Sequence, residues 1–152
     1  MAEKNGLFRH ILVPTDGSES SVAAGQLAIR LAAVHKARMT FLYIIDDTVV
    51  EQVADASGRA ADQVRSEMQV TGQRYVDHLQ RLATEAGLTA NKVVRSGIPH
   101  NEIRNLVQQQ SVDLIVMGRV GRLGPRRILI GSVTERVIEY APCPVLVAGK
   151  TP

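Results

Sequence analysis

Five short apolar runs, rich in branched residues, constrain the fold of this chain more than any other feature. They are residues 11–13, 41–45, 93–94, 114–117 and 145–147. The runs lack the strict alternation of apolar and polar residues that a strand with one solvated face shows. We therefore expect strands that are buried on both faces, as in a parallel sheet covered by helices.

Between these runs, apolar residues recur with the spacing of an α-helix, in four segments. Their apolar positions are Ala24, Leu27, Ala28 and Leu31; Val64, Met68, Tyr75, Leu79, Leu82 and Ala86; Ile103, Leu106 and Val107; and Val133, Val137 and Ile138. We expect Ser18 and Ser132 to cap the first and fourth helices, and Gly87 to end the second. The alternation of strands and helices predicts a single doubly wound α/β domain over residues 1–152, with four helices.

Two connections between these elements are long. Residues 46–58 are polar and weakly periodic, and we predict that they form a mobile loop or lid. Residues 118–131 are rich in glycine and arginine and lead from a strand into a helix. In doubly wound folds, right-handed crossovers place the loops after the strands at one edge, and ligands bind there.

The connection at residues 118–131 has the composition of a phosphate-binding loop. Gly118 and Gly121 permit tight turns and close approach of the backbone to a ligand. Gly131 and Ser132 lie where the last helix begins, and a helix start attracts phosphate; the hydroxyls of Ser132 and Thr134 can add hydrogen bonds. Four positive charges suit a triphosphate: Arg119, Arg122, Arg126 and Arg127. The alternative is that the glycines only shape the loop and the arginines are solvated.

Asp16 follows the first predicted strand, inside the expected crevice. A carboxylate at this position can accept hydrogen bonds from ribose hydroxyls or an exocyclic amine. Asp16 and Ser18 are also typical turn and cap residues, and local chemistry alone favours that alternative.

Composition excludes several other classes. The net charge of +3 is only a weak hint of an anionic partner, and the single cysteine, Cys143, excludes an intrachain disulfide. Residues 1–9 are polar and no apolar run is long enough to cross a bilayer, so we expect a cytoplasmic protein without membrane contact. Few aromatic residues argue against nucleic-acid binding. Asp46 and Asp47 could form a metal pair, although a solvated turn explains them better.

Three sequence blocks, in this order, resemble the universal stress protein family. Residues 14–19 look like the first loop of that family, and residues 132–137 with 141–147 like its last helix and strand. The spacing Gly118-x2-Gly121-x9-Gly131-Ser132 matches the ATP-binding signature of the family. The resemblance covers nearly the whole chain, from Arg9 to Ala148.

This resemblance implies a five-stranded parallel sheet of order 3-2-1-4-5, of the adenine-nucleotide alpha hydrolase-like type, with ATP and Mg²⁺ or Mn²⁺ at the ends of strands 1 and 4. Ile44 would pack on the adenine. The implied binding residues are Pro14, Thr15, Asp16, Ile44, Met117, Gly118, Arg119, Gly121, Arg122, Gly131, Ser132, Val133 and Thr134. Arg119 replaces a residue that is often small and polar in the family, and Pro125 stiffens the loop; either could shift the preference among ATP, ADP and AMP.

The resemblance further implies a nucleotide-responsive stress or signalling module that forms a homodimer through its last strand. One alternative is a slow ATPase, since no base for rapid hydrolysis is evident near the γ-phosphate and no catalytic residue is assigned. Another is a binder of AMP or a cyclic nucleotide, or a scaffold that has no ligand. The sequence identifies no protein partner.

Overall fold

The computed structural model describes residues 6–120 and 130–149. Five parallel strands form one sheet in the order 3-2-1-4-5, as the resemblance implied. They are β1 (His10–Pro14), β2 (Arg38–Asp46), β3 (Ala90–Gly97), β4 (Leu114–Gly118) and β5 (Val145–Ala148). The strand order reverses between β1 and β4, where Ile11 lies opposite Leu114. The predicted ligand edge is therefore the carboxyl end of these two strands.

The described residues form five helices, so the prediction of four was wrong. They are α1 (Glu19–His35), α2 (Asp47–Ser57), α3 (Ala61–Glu85), α4 (Pro99–Gln110) and α5 (Ser132–Tyr140). Helix α2 occupies the connection that the sequence suggested was a loop or lid. The Asp46 carboxylate caps it by accepting the Thr48 amide at 2.9 Å, and Gly58 ends it with a φ of 66°. Burial of Val50 and Ala54 on one face holds the helix against the core.

The predicted helix ends are correct for α1 and α3 and wrong for α5. The Ser18 hydroxyl accepts the Ser21 amide at 3.1 Å, and Gly87 follows α3 with a φ of 78°. Ser132 does not cap α5, because it is already the first helical residue. Gly131 occupies the cap position and has no side chain to satisfy the free amides.

Helices cover both faces of the sheet. One apolar cluster joins the sheet to α1, α2 and α3, and a second joins it to α4 and α5. The prediction that the strands are buried on both faces is confirmed for β1, β4 and most of β2. It is wrong for β3 and β5, because edge strands have a neighbour on one side only. No helix within the described ranges is both long and apolar enough to span a bilayer.

Candidate functional site

A cavity of about 590 Å³ opens at the carboxyl ends of β1, β2 and β4. This is the edge at which the topology predicts a ligand. Ten of the thirteen predicted binding residues line the cavity, namely Pro14, Thr15, Asp16, Ile44, Met117, Gly118, Gly131, Ser132, Val133 and Thr134. The volume is in the range of small-molecule sites in proteins.

The other three predicted residues are Arg119, Gly121 and Arg122. Gly121 and Arg122 lie outside the described residues, as do Arg126 and Arg127. Arg119 is described, and its backbone makes two hydrogen bonds. The Arg119 amide donates to the Ala148 carbonyl at 3.1 Å, and the Arg119 carbonyl accepts the Gly131 amide at 2.7 Å. These two bonds hold the end of β4 to β5 and to the start of α5.

The loop after β1 is fixed by short-range hydrogen bonds. The Asp16 carboxylate accepts the Ser18 amide at 3.0 Å, and the Thr15 hydroxyl oxygen accepts the Gly17 amide at 3.2 Å. Gly17 has a φ of 79°, and the Tyr75 ring occupies the space that a Cβ would need. The turn role of Asp16 is thus confirmed, and the bond to Ser18 holds its carboxylate at the cavity wall.

The first turn of α5 presents backbone amides to the same cavity. Its cap residue, Gly131, makes no side-chain hydrogen bond, and Ser132, Val133 and Thr134 line the cavity. The Thr134 hydroxyl donates to the Gly118 carbonyl at 2.9 Å, so its single proton already has an acceptor within the fold. Ser132 is exposed, and its hydroxyl and the amides of this turn are hydrogen-bond donors on residues that line the cavity.

Gly118 packs against the start of α1. A Cβ at this position would lie 2.5 Å from the Ser20 hydroxyl oxygen and 2.7 Å from the Ser20 carbonyl carbon. The absence of a side chain therefore serves the junction of β4 and α1 in addition to any approach of a ligand.

Sequence reasoning missed the part of the cavity wall that α2 and α3 contribute. These residues are Thr48, Val49 and Gln52 from α2, and Met68, Thr71 and Tyr75 from α3. The spacing of Met68 and Tyr75 predicted core positions, although both are only half-buried. The signals that could have revealed α2 are the capping aspartate Asp46 and the terminating glycine Gly58.

The charged side chains that line the described part of the cavity are acidic, Asp16 and Asp46. Any attraction for an anion within this part would therefore come from helix starts and not from cationic side chains. The described residues contain no group of three His, Cys, Asp or Glu that could hold a metal ion.

A doubly wound parallel sheet with a crevice at its switch point defines the class as the doubly wound α/β proteins. In this class, ligands bind at the carboxyl ends of the strands. The sequence profile of the universal stress protein family matches residues 7–149, so the chain belongs to that family. Universal stress protein MJ0531 of Methanocaldococcus jannaschii is 37% identical over 150 residues, which cover 97% of this chain and 86% of that protein.

Solved structures show the same fold. The structure of MJ0577 from the same organism superposes with a TM-score of 0.83 at 26% identity, covering 96% of this chain and 99% of the other. A universal stress protein in complex with cAMP is 23% identical, with a TM-score of 0.60, and covers 93% of this chain and 96% of its own. One from Archaeoglobus fulgidus in complex with dAMP is 18% identical, with a TM-score of 0.66, and covers 93% and 98%. At these identities the two complexes establish only that this chain shares their fold.

Proposed function

We propose that this protein binds ATP and acts as a nucleotide-responsive stress or signalling module. One observation carries the proposal: the uncapped first turn of α5 opens into the same cavity as Asp16. Phosphate oxygens would accept hydrogen bonds from the amides of Ser132 and Val133, where the positive end of the helix dipole adds attraction. Asp16 would accept hydrogen bonds from ribose or base.

The remaining predicted contacts fit this arrangement. Ile44 would pack on the adenine, and Met117 and Gly118 would lie beside the ribose, as their positions on the wall allow. The described residues contain no group of three His, Cys, Asp or Glu that could enclose a metal ion. A Mg²⁺ or Mn²⁺ ion would be held mainly by the phosphates and by water, as is usual for magnesium with nucleotides.

Replacing Ser132 by proline or alanine tests the phosphate seat. Proline is well tolerated at the first position of a helix, and the extended conformation of Gly131 (φ −68°, ψ 156°) suits a following proline. Ser132→Pro removes the amide and the hydroxyl, whereas Ser132→Ala removes the hydroxyl alone. Because a hydrogen bond to a charged group contributes about 1.5–3 kcal/mol, we expect Ser132→Pro to weaken the affinity for ATP by roughly tenfold or more.

Calorimetric titration with ATP, with and without Mg²⁺, is the measurement. Ser132→Ala should retain more affinity than Ser132→Pro, because the backbone donor remains. If the wild-type protein gives neither heat nor a thermal shift at millimolar ATP, the proposal is wrong.

A second candidate is the binding of a nucleoside monophosphate. The solved complexes with cAMP and dAMP show that proteins of this fold accept such ligands. A titration panel of ATP, ADP, AMP and cAMP separates the candidates. If the α5 turn binds the chain of phosphates, ATP should bind more tightly than AMP. Equal affinities for ATP and AMP would favour the second candidate.

We also propose a homodimer formed through β5. This strand pairs with β4 on one side, and the described residues place no strand on its other side. Its Leu146 side chain is 37% exposed, and a bare strand edge with an exposed apolar side chain favours pairing with a second copy. A single domain over residues 1–152 and a cytoplasmic location stay predictions.

A further inference from the structure

The cavity extends around the sheet edge onto both faces of the sheet. Tyr43 and Ile44 are consecutive in β2, so their side chains point to opposite faces. Tyr43 belongs to the apolar cluster with α3, Ile44 packs against the cluster with α4, and both line the cavity. The phosphate seat lies at α5, on the Ile44 side, so the space on the Tyr43 side has no role in the proposed function.

We call this second space the α2–α3 lobe and define it by Tyr43, Val49, Gln52, Met68, Thr71 and Tyr75. Its wall is apolar and aromatic. Val49, Met68 and Tyr75 are only half-buried, and the rings of Tyr43 and Tyr75 lie 5.9 Å apart at an angle of 56°. The lobe therefore offers apolar surface that a ligand could remove from water.

Two polar side chains in this wall are available to orient a ligand. The Thr71 hydroxyl and the Gln52 amide make no hydrogen bond to another residue in the described ranges. A few convergent polar groups in an otherwise apolar wall are typical of small-molecule sites.

The charges of the residues around the lobe limit the class of ligand that it can bind. No residue of the lobe carries a positive charge, and the carboxylates of Asp16 and Asp46 line the adjoining part of the cavity. An anionic group in the lobe would lie near two acids, and the start of α2, which could attract it, is already capped by the Asp46 carboxylate. A neutral ring meets neither obstacle and can stack on tyrosine.

We propose that the α2–α3 lobe is a second subsite, which binds an uncharged aromatic group beside the nucleotide. The inference shares the cavity with the proposed nucleotide site, but β2, α2 and α3 line the lobe whereas α5 carries the phosphate seat, so the lobe can be tested without ATP. The neutral dye N-phenyl-1-naphthylamine, whose fluorescence rises when it leaves water, is a suitable probe.

The test compares substitutions on the inner and outer faces of the same helices. Thr71→Trp and Val49→Trp each fill the lobe, from α3 and from α2. Val70→Trp and Val53→Trp are the matched controls, because these valines are 55% and 39% exposed and do not line the cavity. We expect dye binding to weaken at least tenfold in both filled variants and less than twofold in both controls, with circular dichroism confirming that all four fold.

Nucleotide titrations separate this inference from the proposed function. Ser132→Pro should reduce ATP binding and leave dye binding unchanged, and Thr71→Trp should do the reverse. If wild-type protein binds the dye in this pattern but not ATP, the proposed function falls and the subsite stands. Dye binding that survives both filled variants overturns the subsite, as does equal loss of dye binding in Ser132→Pro, which would indicate one undivided site.

Discussion

At the end of β4, Gly118 lies so close to the first turn of α1 that a methyl group would overlap Ser20, including its backbone. Backbone atoms cannot rotate away, so the helix or the strand would have to move. We predict that Gly118→Ala destabilises the protein by about 1–3 kcal/mol, the usual cost of overpacking. Urea unfolding measures the effect.

Gly149→Ala is the matched control, because a Cβ there would have no neighbour within 4 Å among the described residues. Its free energy of unfolding should stay close to that of the wild type. Equal unfolding midpoints for the two variants would show that the junction of β4 and α1 yields easily, contrary to the prediction.

His10 is a buried residue at the opposite end of the sheet and is 2% exposed. Its Nδ1 lies 3.0 Å from the Gln110 carbonyl oxygen and its Nε2 lies 2.7 Å from the Thr40 hydroxyl. Because a carbonyl only accepts, Nδ1 donates to Gln110; in the neutral ring, Nε2 then accepts the proton of the Thr40 hydroxyl. Burial lowers the pKa of His10, and the nearby Arg38 adds to this effect.

This lowered pKa predicts a loss of stability in acid. The unfolded chain takes up the histidine proton near pH 6.5, and the folded chain only at lower pH. The contribution of neutral His10 to stability is therefore complete above about pH 6.5 and declines as the pH falls below that value. Urea unfolding between about pH 7.5 and pH 5 should show a smaller acid-induced loss for His10→Gln than for the wild type. Replacement of the exposed His78 by glutamine should leave the wild-type slope, and an unchanged slope in His10→Gln would contradict the prediction.

At the scale of elements, one side chain caps the start of α2. The Asp46 carboxylate accepts the Thr48 amide, and the last turn ends at Gly58. We predict that Asp46→Ala costs about 1 kcal/mol of stability, whereas Asp46→Asn costs much less because asparagine caps equally well. Asp55→Ala, on the exposed surface of the same helix, is the control for loss of charge. A loss as large in Asp46→Asn as in Asp46→Ala would assign the effect to charge and not to capping.

The same helix shows what sequence reasoning could and could not predict. The five strands follow directly from runs of branched apolar residues, because a sheet covered on both faces needs them. Three of the eleven residues of α2 are valines, which are poor helix formers, so tertiary burial of Val50 and Ala54 decides its conformation. Its cavity-facing residues, such as Gln52, were missed for the same reason. The cap of α5 was misplaced by one residue, because a serine beside a glycine gives two possible starts.

At the scale of the whole molecule, periodicity predicts the alternation of strands and helices but not the order of the strands. The order 3-2-1-4-5 came from the resemblance to a family, and it brings Pro14, Ile44 and Met117 to one cavity from three different strands. No local pattern relates residues so far apart in the chain. The topology also leaves β5 at an edge, and that edge carries the last prediction.

The backbone of β5 presents alternate residues to its two sides. The Ile115 amide donates to the Pro144 carbonyl and the Arg119 amide to the Ala148 carbonyl, so the even-numbered residues pair with β4. The amide of Val147 therefore faces the open edge. Proline is tolerated at a strand edge where its missing amide has no partner in the sheet. Val147→Pro should therefore preserve the fold of the monomer and abolish strand pairing between two copies.

We predict that sedimentation will show a dimer for the wild type and a monomer for Val147→Pro. Val147→Ala shortens the same side chain but keeps the amide, so it should remain largely dimeric. ATP titration of Val147→Pro should give an affinity within a fewfold of the wild type, since the cavity is lined by residues from elsewhere in the chain. A wild-type monomer, or a dimer that persists with proline at this position, would show that β5 is not the interface.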